Sequence, residues 1–241
     1  ANCGLARDPL IAARVVRWLN NRYERRRNGD VDALKPFLLV ASFVNPHDIV
    51  LFPIWIQRGM PSDLNDIEVP DVPMSPSDFE DLRHKPAAQV AYRASYPSCY
   101  GPYGLVAPVY QKNLQEYRNL YYRLQEAVDQ PVDLVRTAIT DNAATDTVIV
   151  RTSDHGELLG SHGGLHQKWF QLYDESTRVP FSIARIGSQP TSQRSVSSPT
   201  SHVDLVPTLL SAAGIDEQAT ADELRSSFSE VHPLPGRNLM P

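Results

Sequence analysis

The feature that most constrains the fold is a set of short, uninterrupted apolar segments separated by helical segments. Residues 36–44 read PFLLVASFV and residues 147–150 read TVIV, and neither shows the polar–apolar alternation of a half-exposed strand. Continuous apolar segments of this length are typical of strands that are covered on both faces. A third strand is predicted over 179–186. The pattern predicts an α/β fold with a mainly parallel or mixed sheet sandwiched between helices, with functional residues at the carboxyl ends of the strands.

Helical segments lie between these strands. Asp8-Pro9 predicts the start of a first helix over about 9–27, because a capping carboxylate followed by proline favours a helix N-terminus. Apolar residues recur at helical spacing over 114–139, where Pro131 is expected to kink or divide the helix. A short amphipathic helix is predicted over 204–213.

A long Pro-rich excursion, residues 48–110, separates the first strand from the second helix and shows no sustained periodicity. Loops of this length are usually functional or disordered, so we expect it to lie near the substrate site. Its aromatic side chains could line a hydrophobic mouth for an aryl or sugar leaving group, or could simply anchor the loop to the body of the protein. They include Trp55, Tyr92, Tyr96, Tyr100 and Tyr103.

Composition excludes several classes of function. The formal charge is -5 and the 23 Lys and Arg are scattered, so no basic stripe for nucleic acid is present. The longest apolar run, Phe37 to Val44, is far shorter than the roughly 20 residues that span a bilayer. Cys3 and Cys99 indicate neither a disulfide framework nor a Cys-x-x-Cys metal pair. We expect a soluble protein, cytoplasmic or periplasmic, with homo-oligomerisation left open.

The first candidate site follows the second predicted strand. Asp154 and His155 supply one hard oxygen and one borderline nitrogen at the carboxyl end of that strand. Such a pair suits Mg²⁺, Ca²⁺, Mn²⁺ or Zn²⁺ when further ligands come from elsewhere. The structural alternative is that Asp154 caps the following turn and His155 makes a buried hydrogen bond.

Two further residues have the chemistry of anion and proton transfer. Lys168 ends a loop with three Gly and two His, and a lysine point charge is a good partner for a tetrahedral oxyanion such as sulfate or phosphate. His47 follows the first predicted strand within Asn45-Pro46-His47-Asp48 and could donate a proton to a leaving alkoxide. The alternatives are a surface lysine and a hydrogen-bonded turn histidine.

Together these motifs resemble the sulfatase family of the alkaline-phosphatase superfamily, in the family's order and with its spacing. The resemblance extends through most of the chain. Its blocks are Lys35 to Val40, Asn45 to Asp48, Ser153 to Glu157, Leu159-Gly160, His162-Gly163, Lys168, Glu175, Arg178 to Pro180, Ser201 to Leu210, and Leu234 to Arg237.

The resemblance implies roles for four residues. Asp154 and His155 match the second pair of metal ligands, Lys168 matches the lysine that contacts the sulfate or phosphoryl group, and His47 matches the histidine near the leaving-group oxygen. It also implies metal-dependent hydrolysis of a small-molecule sulfate ester. One divalent ion is expected, Ca²⁺ first, with Mg²⁺, Mn²⁺ or Zn²⁺ as alternatives.

Other polar residues in the same blocks receive no catalytic role. The resemblance assigns none to His162 or His166, and His202 and Asp204 match a block that is usually structural in the family.

The sequence departs from the family pattern at the nucleophile. Family members carry an Asp-Asp metal pair and then a Cys or Ser, in a C/S-x-P-x-R motif, that becomes formylglycine. Neither Cys3 nor Cys99 has Pro and Arg at the required offsets. We therefore interpret 1–241 as an interior part of one sulfatase-like catalytic domain, inactive alone, with formylglycine expected upstream.

Two alternative functions remain at this point. A phosphonate monoester or phosphodiester hydrolase of the same superfamily would use the same Asp-His pair and Asn-Pro-His turn. A non-catalytic pseudo-enzyme that binds an anion or metal is favoured by the missing nucleophile, but it gives no reason for His47, Lys168 and the metal pair to occur together.

Overall fold

The computed structural model describes residues 4–95, 103–142, 147–187 and 195–240, which form helices and one pair of strands. The elements are α1 Gly4–Arg27, α2 Val31–Leu34, α3 Phe52–Arg58, α4 Ser62–Asn65, α5 Ala87–Ser95, α6 Tyr103–Lys112, α7 Leu114–Thr140, β1 Thr147–Thr152, α8 Ser161–Gly164, α9 Asp174–Thr177, β2 Phe181–Ile186, α10 Leu205–Ala212 and α11 Glu217–Leu224, with 3₁₀ turns at His47–Leu51, Leu82–His84 and His202–Asp204.

The sheet consists of β1 and β2, which pair antiparallel from Thr147 opposite Ile186 to Thr152 opposite Phe181. Helices and a small sheet confirm the predicted α/β class. The pairing corresponds to the mixed alternative of that prediction, since no parallel pair occurs within the described ranges. Both strands lie close to their predicted positions because their residues favour strands: Thr, Val and Ile dominate β1, and β2 contains Phe181, Ile183 and Ile186.

The predicted strand over 36–44 is wrong for the described part of the chain. The segment has no regular secondary structure, and Leu38 and Val40 are each 73% exposed. Strand propensity alone does not make a strand, because backbone N–H and C=O groups need a partner strand. The structure describes no such partner strand here, and apolar side chains of the segment, including Leu38 and Val40, are exposed at the surface.

Helix α1 begins at Gly4, so the prediction that Asp8 caps a helix beginning at Pro9 is wrong. Asp8 is buried inside the helix, and its carboxylate accepts the backbone N–H groups of Val44 (2.6 Å) and Asn45 (3.0 Å). Burial raises the pKa of Asp8, and these two hydrogen bonds oppose the rise. The carboxylate therefore caps a remote turn rather than its own helix.

Local sequence signals are followed at the end of α1, but the proline within α7 does not divide that helix. Three arginines occupy the last turn of α1, and Gly29 follows with φ +78°, and both features favour the end of a helix. Helix α7 runs undivided through Pro131, so the predicted division is wrong. Its buried apolar face packs on the core and against α1, which offsets the one backbone hydrogen bond that proline removes.

The excursion over 48–110 is less irregular than predicted, because short helices and turns place its apolar side chains in the core. One core cluster joins it to α6 and α7 and contains Ile49, Phe52, Trp55, Leu64, Tyr110, Tyr117, Leu120 and Leu124. Trp55 thus anchors the excursion, as does Tyr92, whose hydroxyl donates to the Trp169 carbonyl. Tyr96, Tyr100 and the Tyr103 side chain lie outside what the structure describes, as do Cys3 and Cys99.

None of the helices described is both long and apolar enough to cross a bilayer. The helices instead pack their apolar faces on one another, and α1 against α7 forms a second cluster around Leu19, Tyr23 and Ala138. In the loop that follows β1, Leu159 packs against the first cluster.

Candidate active site

The predicted metal pair lies directly after β1, where the chain leaves the sheet. The Asp154 side chain is 83% exposed, and its Oδ2 lies 3.5 Å from His155 Nε2. Its other oxygen, Oδ1, accepts the His155 backbone N–H at 2.9 Å and the Ser153 hydroxyl at 3.4 Å. His155 Nδ1 lies 3.0 Å from the Gly156 carbonyl oxygen. Asp154 therefore caps the turn with one oxygen and presents the other toward the imidazole.

This donor pair fits a divalent cation. A proton on His155 Nδ1, donated to the Gly156 carbonyl, leaves a lone pair on Nε2, which is the usual arrangement of a ligating histidine. Adjacent ligands of an ion with bonds of about 2.0–2.5 Å lie about 3–3.5 Å apart, close to the observed separation of Oδ2 and Nε2. No group of three or more His, Cys, Asp or Glu ligands occurs in the part of the chain that the structure describes, so an ion held by this pair would need further ligands.

Two backbone hydrogen bonds hold the metal pair in place. The N–H of Gly156 donates to the Ser176 carbonyl at 2.8 Å, and the N–H of Glu157 donates to the Glu175 carbonyl at 2.9 Å. A Cβ added to Gly156 would lie 2.0 Å from the Glu175 oxygen. Only glycine allows this approach, so residue 156 sets the position of His155 and Glu157 on either side of it.

Lys168 is not the surface lysine of the structural alternative. Its side chain is 14% exposed, and its Nζ lies 3.6 Å from Glu157 Oε2. The loop that carries it turns repeatedly through the left-handed region, at Leu159, Gly160, His162, Gly163, Gly164, Gln167 and Phe170. The structure thus brings Lys168 to the segment that also carries Asp154 and His155.

Glu157 is the site residue that sequence reasoning missed. Its side chain is 2% exposed, and Oε1 accepts the hydroxyl of Tyr117 at 2.7 Å. Burial raises the pKa of Glu157, while Lys168 and Tyr117 oppose the rise. The sequence signal was its place in the Ser153 to Glu157 motif, but the motif does not show which side chain faces the interior.

His47 is exposed and begins the 3₁₀ turn after the irregular segment. Its N–H donates to the Val44 carbonyl at 3.0 Å, and the following Asp48 accepts the N–H of Gly4 at 2.8 Å. The Asn45-Pro46 peptide bond is cis. Within the described ranges, no hydrogen bond or ion pair joins the His47 side chain to Asp154, His155 or Lys168. The structure fixes the turn of His47 without bringing the imidazole into contact with the other predicted residues.

An aromatic column connects the His47 turn with the Lys168 loop. It consists of Phe52, Tyr117, Tyr110 and His166, with ring centroids 5.0, 4.8 and 3.9 Å apart in that order. Gln167 Nε2 also donates to the Tyr110 hydroxyl at 3.1 Å. Burial lowers the pKa of His166 to about 4, so this imidazole is neutral near pH 7. His166 is a packing residue of the column.

His162 links the loop to the excursion. Its Nδ1 lies 2.7 Å from Glu80, its Nε2 lies 3.0 Å from Glu175, and its ring stacks on Tyr173 at 3.5 Å. Hydrogen bonds from Lys85 and His162 lower the pKa of Glu80. Burial acts to raise the pKa of Glu175, but hydrogen bonds, including that from His162, bring it below the ordinary value. This cluster fastens the loop from both sides.

The C-terminal block makes hydrogen bonds that hold the chain together next to β1. Asp204 accepts the backbone N–H groups of Ser201 and Arg237, each at 2.9 Å. These two hydrogen bonds hold the pKa of Asp204 below its usual range, and the bond from Arg237 has the larger effect. His202 Nε2 lies 2.7 Å from the carbonyl oxygen of Ser153, next to the metal pair. The block therefore supports the end of β1.

Comparison with known proteins gives a consistent result. A family model described as Sulfatase matches residues 29–215. The uncharacterized sulfatase YidJ of Escherichia coli K12 is 29% identical over 183 residues, covering 76% of this chain and 33% of the relative. Choline-sulfatase of Rhizobium meliloti is 31% identical over 207 residues, covering 83% and 36%. A solved 2-O GAG sulfatase superposes with a TM-score of 0.67 at 24% identity, covering 99% of this chain and 45% of that one. The chain spans about a third of the length of the curated relatives it matches.

Proposed function

The chain belongs to the sulfatase family, and from this premise we propose that the protein hydrolyses sulfate esters with the help of a divalent metal ion. One observation carries the proposal. Asp154 and His155 converge at 3.5 Å after β1, and the neighbouring Glu157 faces the ammonium of Lys168. This supports the proposal, because a carboxylate–imidazole pair that could hold a metal ion and a cation that could bind an oxyanion both lie at the segment 154–157.

Asp154 and His155 would hold the metal ion through Oδ2 and Nε2. When bound, such an ion polarises the sulfate oxygens and offsets their charge. A carboxylate oxygen is suited to Ca²⁺, our first choice, and to Mg²⁺ or Mn²⁺, whereas the imidazole nitrogen is also suited to Zn²⁺.

Lys168 would bind an oxygen of the ester's sulfate group. Its ammonium is mostly buried, so its charge is less screened than that of a surface lysine. Negative charge shifts toward the leaving oxygen as the ester bond breaks, and a fixed cation in a partly dry site stabilises that shift. Choline sulfate, aryl sulfates and sulfated sugars all present this group.

His47 would act as the general acid. The bond between sulfur and the leaving oxygen breaks, the oxygen takes the proton of a protonated His47, and solvent returns a proton to the imidazole. Its exposure and the fixed turn beneath it suit a group that exchanges protons with water.

The nucleophile would come from a C/S-x-P-x-R segment, which this sequence does not contain. In the family this residue becomes formylglycine. The residues described here would therefore supply one wall of the site, with the metal pair, the anion-binding lysine and the acid.

The test is a side-by-side assay of the intact protein on 4-nitrophenyl sulfate and phenyl 4-nitrophenyl phosphonate, with metals added in turn. Both substrates release the same leaving group, so their ratio reports the transferred group alone. A clear preference for the sulfate supports the proposal. A preference for the phosphonate moves the protein to the phosphonate monoester or phosphodiester hydrolases. Metal-bound protein that is inactive on both favours either a substrate with an unusual leaving group or the binding-only alternative.

Two variants connect that assay to the site. Lys168→Ala should lower kcat by about 100-fold, the usual loss when an oxyanion donor is removed. Lys112→Ala is the matched control, because Lys112 is an exposed lysine at the end of α6. Equal activity of the two variants would remove Lys168 from the site.

A further inference from the structure

We propose that Glu157 is a positioning residue, whose buried carboxylate fixes the ammonium of Lys168 in the orientation that receives the substrate's anion. The inference rests on the proposed function, since it concerns the same lysine. The resemblance to the family assigns no role to Glu157. The role follows from the contact between the two side chains.

The two oxygens of Glu157 have different surroundings. Oε1 accepts the Tyr117 hydroxyl at 2.7 Å. Oε2 is buried and has no hydrogen-bond partner among the described residues, and Lys168 Nζ lies 3.6 Å away. A buried carboxylate needs a compensating charge, and Lys168 supplies it. The unpartnered oxygen is therefore the one that faces the lysine.

The distance between the two groups explains how positioning and anion binding coexist. At 3.6 Å the ammonium is attracted to Oε2 but makes no direct hydrogen bond with it. Lysine has three N–H donors on a flexible stem, so attraction restricts the stem while the donors remain for another acceptor. The side chain keeps a small exposed fraction through which a sulfate oxygen could approach.

Glu157 is itself held from two directions. Its backbone N–H donates to the Glu175 carbonyl at 2.9 Å, and Tyr117 is fully buried in α7 against Phe52 and Tyr110. Oε2 therefore has a fixed location that α7 determines. Lys168, by contrast, lies in a loop whose backbone is strained at several positions. We infer that α7, through Tyr117 and Glu157, restricts the position of the Lys168 ammonium more closely than the loop backbone does.

A purely structural ion pair is the competing explanation, and a second buried pair provides its control. Arg118 pairs with Asp78 and also donates to the Leu159 carbonyl at 3.1 Å, so it fastens the same loop. Within the described ranges, no hydrogen bond or ion pair joins Arg118 to Lys168. Asp78→Asn should lower stability but leave the kcat of the folded protein within about threefold of the parent.

The experiment is a double-mutant cycle in the intact protein with 4-nitrophenyl sulfate. Glu157→Gln keeps the size of the side chain and its acceptor for Tyr117, but removes the charge. We expect kcat to fall about 30-fold with KM within about threefold, because the lost interaction acts in the transition state. In a Lys168→Ala background the same change should cost less than about threefold, because its target is gone.

Conservative variants keep the test decisive if Glu157→Gln folds poorly. Glu157→Asp retains the charge at a shorter reach, so positioning predicts that it is more active than Glu157→Gln. A packing role predicts the opposite order, since glutamine preserves the shape. Tyr117→Phe leaves the charge but removes the hydroxyl that orients it, and should lower kcat with KM little changed. An unchanged kcat in Glu157→Gln, or equal losses in both Lys168 backgrounds, would overturn the inference.

A protein that turns over neither ester would count against the proposed function but would not end this test. The cycle is then measured on inorganic sulfate, by titration calorimetry. We expect Glu157→Gln to change the sulfate affinity by at least about threefold in the parent and not in the Lys168→Ala background. No change in the parent, or the same change in both, would refute the role of Glu157 independently.

Discussion

Replacing Gly156 with alanine tests whether backbone contact, rather than side-chain chemistry, sets the geometry of the site. The new Cβ would lie 2.0 Å from the Glu175 carbonyl oxygen and 3.1 Å from its carbon. Both are backbone atoms, so no side-chain rotation relieves the overlap. The two segments have to separate, which breaks the hydrogen bonds from Gly156 to Ser176 and from Glu157 to Glu175.

The magnitude follows from these contacts. Two backbone hydrogen bonds contribute about 1 kcal/mol each, and overpacking adds about 1–3 kcal/mol, so the free energy of unfolding should fall by about 3–5 kcal/mol. The displacement also moves the Gly156 carbonyl away from His155 Nδ1. We therefore expect weaker metal binding in addition to lower stability.

Gly214→Ala is the matched control. Gly214 has φ +69° and nothing within 4 Å of an added Cβ, so alanine there meets backbone strain but no overlap. It should cost about 1 kcal/mol and leave metal binding unchanged. The assay is urea unfolding of the intact protein, with bound metal measured by mass spectrometry. A Gly156→Ala protein that is as stable as the control, and fully loaded with metal, would refute this account of the site.

Three further predictions concern single side chains. Asp154→Ala should remove most of the bound metal, and an unchanged metal stoichiometry would exclude it as a ligand. His47→Gln should slow esters with poor leaving groups far more than 4-nitrophenyl sulfate, whereas equal losses would contradict a general acid. Between pH 6.5 and about 4 the unfolded chain takes a proton on His166 that the folded protein refuses, so the free energy of unfolding should fall by about 3 kcal/mol as the pH drops through this window. His166→Gln should abolish that part of the pH dependence, and an unaltered pH profile of unfolding would count against it.

Much of the helical architecture could be predicted because its signals are local. The end of α1, the extent of α7 and the glycine after α10 follow from spacing, charge and backbone preference. The segment 36–44 could not, because a strand depends on a partner that local sequence does not specify. The prediction that Asp8 caps its own helix was wrong for a related reason, since its carboxylate accepts the backbone N–H of Val44, 36 residues away.

The residues of the candidate site also differ in whether local sequence could predict them. Asp154, His155 and Lys168 could be proposed from residue types that follow a strand end, and the structure brings them to one segment. Glu157 could not, because its role depends on a tyrosine 40 residues earlier in the chain. His47 is a different case, since its turn is held in place but its partner groups are not among its contacts.

The aromatic column has a consequence for the way the protein folds. Its members belong to separate segments, and the hydrogen bond from Gln167 to Tyr110 alone closes a loop of 57 residues. Helices can form early from local contacts, but a contact of this range carries a large entropic cost of loop closure and slows folding. The spatial relation between the His47 turn and the Lys168 loop is therefore established only after the separate segments of the chain have met, rather than during formation of any one helix.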